Sequence, residues 1–338
     1  MELRSCSYAV HSKCATRKDV WDEKELEGVP DADEDFEGGI EPFSKTGDNS
    51  IRHFCHQHDL RLEEEDISGL VCSGCSFPVD SKPFYRCPEC DFFLHEKCAN
   101  LPRTNFTVQH VHPLTLCWDD EWSGTPIATF QCGACDLLSN GFRYGCLECK
   151  DGNQIVEFDV RCLSVVEPLE YHLHPDHKLY FTVMTDCICS VCNRLLPGNF
   201  RSCTECKFHL CLACATLPEK VMYKYDEHPL SHTLVVWDRY WCDICENNME
   251  EDKHLYKCSE CGPVVHTECL LGSFRNMRPG LIGDNHGYKQ EAILNDRTSV
   301  LHCIKCYKDC HEPLLVKMTS TTTTNDTTYL CSSCYLST

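Results

Sequence analysis

The chain has 338 residues, of which 31 are Cys and 18 His, and a formal net charge of −21 from 52 acidic against 31 basic side chains. That charge opposes bulk attraction to phosphate backbones and anionic lipid, so no nucleic-acid partner is expected, and no run approaches the ~18 to 20 apolar residues of a membrane span. Cysteine at roughly nine per cent implies cross-linking; an odd count, and an opening "MELRSCSYAVHSKCATRKDV" without an apolar signal segment, favour reduced thiols in cytoplasm or nucleus over a secreted disulfide scaffold.

Residues 1–18 contain "CSYAVHSKCA", where Cys6, His11 and Cys14 repeat the end of a unit that is complete further on, with Leu3 in place of its preceding cysteine. A truncated module is expected there. Residues 19–50, with "PDADEDFEGG", are acidic and poor in large apolar groups, which predicts a flexible linker. Then "PFYRCPECDFFLHEKCANLP" at 83–102 spaces its ligands as C-x2-C-x4-H-x2-C, and the same tail recurs three times, preceded by another C-x2-C pair and an opening His. Module 1 (51–110) holds His58, Cys72, Cys75, Cys87, Cys90, His95 and Cys98. Module 2 (111–174) holds His112, Cys132, Cys135, Cys146, Cys149, Asp159 and Cys162. Module 3 (175–228) holds His177, Cys189, Cys192, Cys203, Cys206, Cys211 and Cys214. Module 4 (229–275) opens at His228 or His232 and continues with Cys242, Cys245, Cys258, Cys261, His266 and Cys269. Residues 276–300 lack the pattern and are predicted to be a linker, and 301–338 form a Cys-rich segment whose Cys303, Cys306, Cys331 and Cys334 make one four-cysteine site around a Thr-rich loop.

Units of about 50 to 60 residues cannot bury enough apolar surface to hold themselves together. Thiols and imidazoles at these spacings read as zinc ligands, and up to eight per unit make two tetrahedral sites. "PFYRC" alternates like a strand running into a C-x2-C turn, while "FLHEKCANL" has the short helical character that places His95 and Cys98 on one face. The opening His then partners the late Cys pair, and the early pair takes the helical His and Cys. Asp159 and Cys211 occupy the slot of His95, and both residue types bind zinc. The expected fold is a tandem of small zinc-stabilised α+β modules, each of short antiparallel strands and a short C-terminal helix with two interleaved zinc sites.

With "HPLTL", "FYRCPECDFFLHEKCANLP", "FDVRC" and "YWCDICE", residues 51–275 resemble the plant cysteine- and histidine-rich divergent C1 (DC1) domain proteins, relatives of the C1 zinc finger. The resemblance implies a crossed pairing, with Cys72, Cys75, His95 and Cys98 in one site and His58, Cys87, Cys90 and a later residue in the other. His110 is the nearest candidate for that later residue. By the same logic His172 or His174 closes module 2; His228 closes module 3 with His232 opening module 4, or His228 opens module 4 itself; His286 is the remaining candidate to close module 4.

Cys55, Cys117, Cys187 and Cys310 fall outside the repeat and read as ordinary small thiols, His209 as exposed, and Phe84, Tyr85, Phe92, Tyr144, Phe158, Phe208 and Tyr256 as the modules' small cores. With four protein ligands per site no position is left for substrate, so the function expected is non-enzymatic: a zinc-binding adaptor for protein partners that the sequence does not identify, in plant signalling or stress responses by family resemblance. Two alternative functions have weaker support in the sequence. Thiol–disulfide exchange through C-x2-C dithiols lacks a thioredoxin-like βαβ context. Diacylglycerol binding, for which Phe77, Pro78 and Phe84 lie in the right interval, lacks the Gln-Gly of lipid-binding C1 domains and is opposed by the net charge.

Overall fold

The computed structural model describes residues 40–64, 69–79, 82–118, 129–149, 156–235, 240–249, 254–285, 287–321 and 327–337. Cys6, His11, Cys14, most of the acidic linker and His286 lie outside these residues.

Among the described residues a four-strand antiparallel unit followed by a one-turn helix occurs five times. Module 1 comprises β1 (Phe43–Gly47), β2 (Ser50–His53), β3 (Leu60–Glu63), β4 (Phe84–Arg86), β5 (Phe93–His95) and α1 (Glu96–Ala99), with β1 an added edge strand. Module 2 comprises β6 (Thr104–Thr107), β7 (His110–Cys117), the small hairpin β8 (Phe130–Gln131) and β9 (Leu138–Ser139), β10 (Arg143–Gly145), β11 (Glu157–Asp159) and α2 (Val160–Leu163). Module 3 has β12 (Leu169–Tyr171), β13 (His174–Ile188), β14 (Leu195–Cys203), β15 (His209–Cys211) and α3 (Leu212–Ala215). Module 4 has β16 (Lys220–Met222), β17 (Pro229–Leu234), β18 (His254–Lys257), β19 (Val264–His266) and α4 (Thr267–Leu271). A fifth module has β20 (Gly280–Asn285), β21 (Tyr288–Leu294), β22 (Leu314–Ser320), β23 (Thr327–Cys331) and α5 (Ser332–Leu336).

Three sequence expectations change here. The linker drawn over 19–50 stops short, because Phe43–Gly47 pairs with β2. The linker drawn over 276–300 is the first hairpin of module 5, with Tyr288–Leu294 paired to Leu314–Ser320. Boundaries at 110 and 174 cut through β7 and β13, because each module begins at the strand upstream of its opening His. A search keyed to ligands is blind to such strands.

Helices of four or five residues and strands of three are too short to persist alone. Their inward faces carry the predicted aromatics: Phe84, Tyr85, Phe92, Tyr144, Phe158 and Tyr256 are buried, and Phe208 packs beside them half-buried. The leucine after each opening His is fully buried as Leu60, Leu114, Leu179 or Leu230. Cys117, Cys187 and Cys310 are also buried. His209, expected to be exposed, is half-buried, with Nδ1 3.0 Å from the Ser202 hydroxyl.

The modules are packed together. Modules 1 and 2 share one core from Ile51 to Val160. At its centre the Phe142 N–H donates to the Gly74 carbonyl at 2.7 Å, and a Cβ on Gly141 would stand only 2.3 Å from that oxygen, so the backbones meet because Gly141 is glycine. Buried Arg161 ties module 2 to its neighbours, donating to the carbonyls of Thr216 and Arg275 and to Asn276 Oδ1, with its guanidinium 3.5 Å from the Phe77 ring centre. Truncating it leaves the buried Asn276 Oδ1 and two part-buried carbonyls without this donor. Arg161→Ala is expected to cost about 2–4 kcal/mol and broaden or split the calorimetric transition, whereas exposed Arg61→Ala should stay within about 0.5 kcal/mol.

Candidate metal centres

Each early C-x2-C turns as a knuckle closed by a residue in left-handed conformation: Ser76, Asp136, Asn193, Glu246 and Tyr307, at φ 60°, 63°, 57°, 54° and 59°. Their N–H groups donate to the carbonyls of Cys72, Cys132, Cys189, Cys242 and Cys303 at 2.8–2.9 Å. Backbone N–H groups also point at sulfur, as from Glu89 to Cys87, Ala134 to Cys132, Glu205 to Cys203 and Ile244 to Cys242, at 3.3–3.4 Å, which favours thiolates.

The first site of each module joins this knuckle to the end of the fourth strand and the helix. Cys72, Cys75, His95 and Cys98 gather in module 1, and Cys189, Cys192, Cys211 and Cys214 in module 3. In module 4 His266 Nδ1 lies 3.2 Å from Cys245 and 3.6 Å from Cys269, with Cys242 hydrogen-bonded to both Cys269 and His266. In module 5 Cys306 and Cys331 are 4.0 Å apart, with Cys303 and Cys334 in the same group. Module 2 brings Cys132, Cys135 and Cys162 together. Asp159 does not turn its carboxylate to them: Oδ1 accepts from the Arg161 N–H at 2.8 Å and Oδ2 from the Ser139 hydroxyl at 2.5 Å.

The second sites correct the expected histidine assignments. The groups are His56, His58, Cys87 and Cys90; His110, His112, Cys146 and Cys149; and His174, His177, Cys203 and Cys206. His110 and His174 therefore serve the module they begin, not the one before. In module 4 His228 Nδ1 is 3.0 Å from Cys261, and Asp226 hydrogen-bonds the thiols of Cys258 and Cys261 in the histidine's usual place. His232 lies between two other histidines, away from the thiols. Its nitrogens lie 2.9 Å from His172 Nε2 and 2.9 Å from His254 Nδ1, a buried chain across modules 3 and 4 in which burial lowers His232 to about 3 and His254 to about 4. His56 and Asp226 were missed. The signal was present in "HQHDL", "HVHPL", "HPDHKL" and "DEHPL", a ligand two or three residues before each opening His.

Among the described residues module 5 shows no second site. Leu315 pairs with Cys331 as Phe84 pairs with His95, which puts Met318 and Thr321 where Cys87 and Cys90 stand and Tyr288 in the place of His58. The β22–β23 ladder runs on to Thr319 and Thr327 instead.

These groups fit a tetrahedral ion. Metal–sulfur bonds near 2.3 Å and metal–nitrogen bonds near 2.0 Å set ligand–ligand edges of about 3.5–3.8 Å. Here His95 Nδ1 lies 3.4 and 3.8 Å from Cys75 and Cys98, His58 Nδ1 3.7 and 3.8 Å from Cys87 and Cys90, and Cys192 3.9 Å from Cys211. In each crowd one thiol is acidified by the others: the thiols of Cys135 and Cys162 bring Cys132 to about 3 and that of Cys269 brings Cys242 to about 3, while Cys135, Cys162 and Cys269 are themselves pushed up by the thiolate they face. Such pockets of negative charge call for a cation.

Each late knuckle reads C-x-E-C, and its Glu faces the outer nitrogen of the opening His. Glu89, Glu148, Glu205 and Glu260 lie 3.6, 3.6, 3.4 and 3.1 Å from Nε2 of His58, His112, His177 and His228, whose Nδ1 atoms face sulfur. A carboxylate there fixes the tautomer and raises ligand basicity. Each Glu→Gln change is expected to weaken metal binding at its own site by about tenfold to a hundredfold, as read by chelator competition, with the other sites unchanged.

Residues 54–99, 108–163 and 223–270 match the family model of the C1 domain, so modules 1, 2 and 4 are C1-like repeats. Neither a curated protein nor a solved structure matches the chain. Modules 3 and 5 share the strand order of the matched repeats. Among the described residues no helix is long and apolar enough to cross a membrane.

Proposed function

We propose that this chain is a non-enzymatic, zinc-binding interaction protein whose C1-like modules form a rigid scaffold for protein partners, acting in intracellular signalling or stress responses of a plant cell. The observation that carries the reading is closure. Among the described residues, four-ligand groups number two in module 1, one in module 2, two in module 3, two in module 4 and one in module 5. A zinc ion with four protein ligands is structural, since catalytic zinc keeps a position for water or substrate. Shared cores and buried cross-module contacts support a fixed presentation of surface loops. The plant setting and the signalling role rest on the likeness to DC1 proteins, and the reducing compartment on the cysteine chemistry. The C-x2-C thiols favour coordination over dithiol exchange, because each pair shares its group with further ligands.

Native mass spectrometry of the reductively purified chain is expected to find eight or nine zinc ions, with few thiols open to alkylation until a chelator is added. The zinc-loaded protein should not reduce insulin. Two or fewer ions with many reactive thiols would remove the structural reading and favour redox chemistry.

A further inference from the structure

The residue that opens the module helix is a ligand in modules 1, 3, 4 and 5, as His95, Cys211, His266 and Cys331, and in none of them does its side chain cap the helix. Module 2 differs. Asp159 caps α2 through the Arg161 N–H, and its other oxygen is held by Ser139. Both hydrogen bonds are made by buried groups, so turning the carboxylate toward sulfur would leave the Ser139 hydroxyl and the first-turn N–H without their acceptor. Three thiolates remain. Two of them, Cys132 and Cys135, line a cavity of about 500 Å³ that Cys192, Cys211 and Cys214 of the closed module 3 group also line, with Glu268 and Arg275; Arg275 donates through Nη2 to the Ala213 carbonyl, and its Nε has no hydrogen-bond partner.

We propose, building on the zinc reading above, that the ion held by Cys132, Cys135 and Cys162 has no fourth protein ligand and takes an exchangeable one from solution: water, replaceable by a small thiol bearing a carboxylate. Three thiolates leave one vertex of the tetrahedron open, as at a catalytic zinc. The incoming thiol gives up its proton to solvent, its sulfur bonds the metal and water leaves, while its carboxylate pairs with Arg275. In the eight closed groups a new ligand must first displace a protein side chain. This site should therefore exchange first.

The test uses the full zinc-loaded chain. With a limiting chelator followed by alkylation and peptide mapping, Cys132, Cys135 and Cys162 should label before Cys189, Cys192, Cys211 and Cys214. Asp159→Asn keeps a good helix cap but discards the carboxylate, and it should retain the wild-type zinc count. 3-Mercaptopropionate should add one non-covalent adduct per chain in native spectra, lost on denaturation and weakened about tenfold by Arg275→Gln. The proposal is overturned if Asp159→Asn holds one zinc fewer, if the three cysteines in the wild type are as protected as those of module 3, or if no adduct forms. A chain that binds no zinc at all would instead sink the parent reading.

Discussion

The interaction on which everything else rests is the crossing of two ligand pairs through one short chain. In module 1 the order is His56 and His58, then Cys72 and Cys75, then Cys87 and Cys90, then His95 and Cys98, with the first and third pairs in one group and the second and fourth in the other. Neither group can be cut out without releasing the loop that holds the other. Three-residue strands and a four-residue helix gain order from this tie, because their backbone hydrogen bonds and the few apolar side chains a module buries cannot offset the entropy of fixing about 45 residues.

Much of this was legible. The C-x2-C pairs, the helical ligands and the aromatic core follow from spacing alone, because a knuckle and a one-turn helix are local structures. The direction of the second closing ligand was not legible. A histidine such as His110 sits equally near the module it follows and the one it begins, and only the pairing of β6 with β7 assigns it to the latter. Asp159 was misread for a related reason: residue type gives the donor atoms, while Ser139, twenty positions upstream, decides where they point. The fifth module leaves no trace in ligand spacing, because its first hairpin carries no Cys or His among the described residues.

The packing between modules was also out of reach of pattern reading. Arg161 and Gly141 look unremarkable in sequence, yet one joins module 2 to module 3 and to the segment leading into module 5, while the other admits the knuckle of module 1 to within van der Waals limits. A string of separate fingers would need neither. The ligand groups shape each module, and these buried contacts pack the modules against one another.

The crossed order also bears on synthesis. As a chain leaves the ribosome from its N-terminal end, His56 through Cys90 emerge before Cys98, so the second group of each of the first four modules is complete while its helix is still unmade. At about 5–20 residues per second that group can capture metal within seconds and hold its hairpin in register for the other to close upon. The fifth module, with Met318 and Thr321 where such ligands would stand, shows no such early group among the described residues; its one group is complete only with Cys331 and Cys334. It is the part of the array whose folding leans most on neighbours already in place.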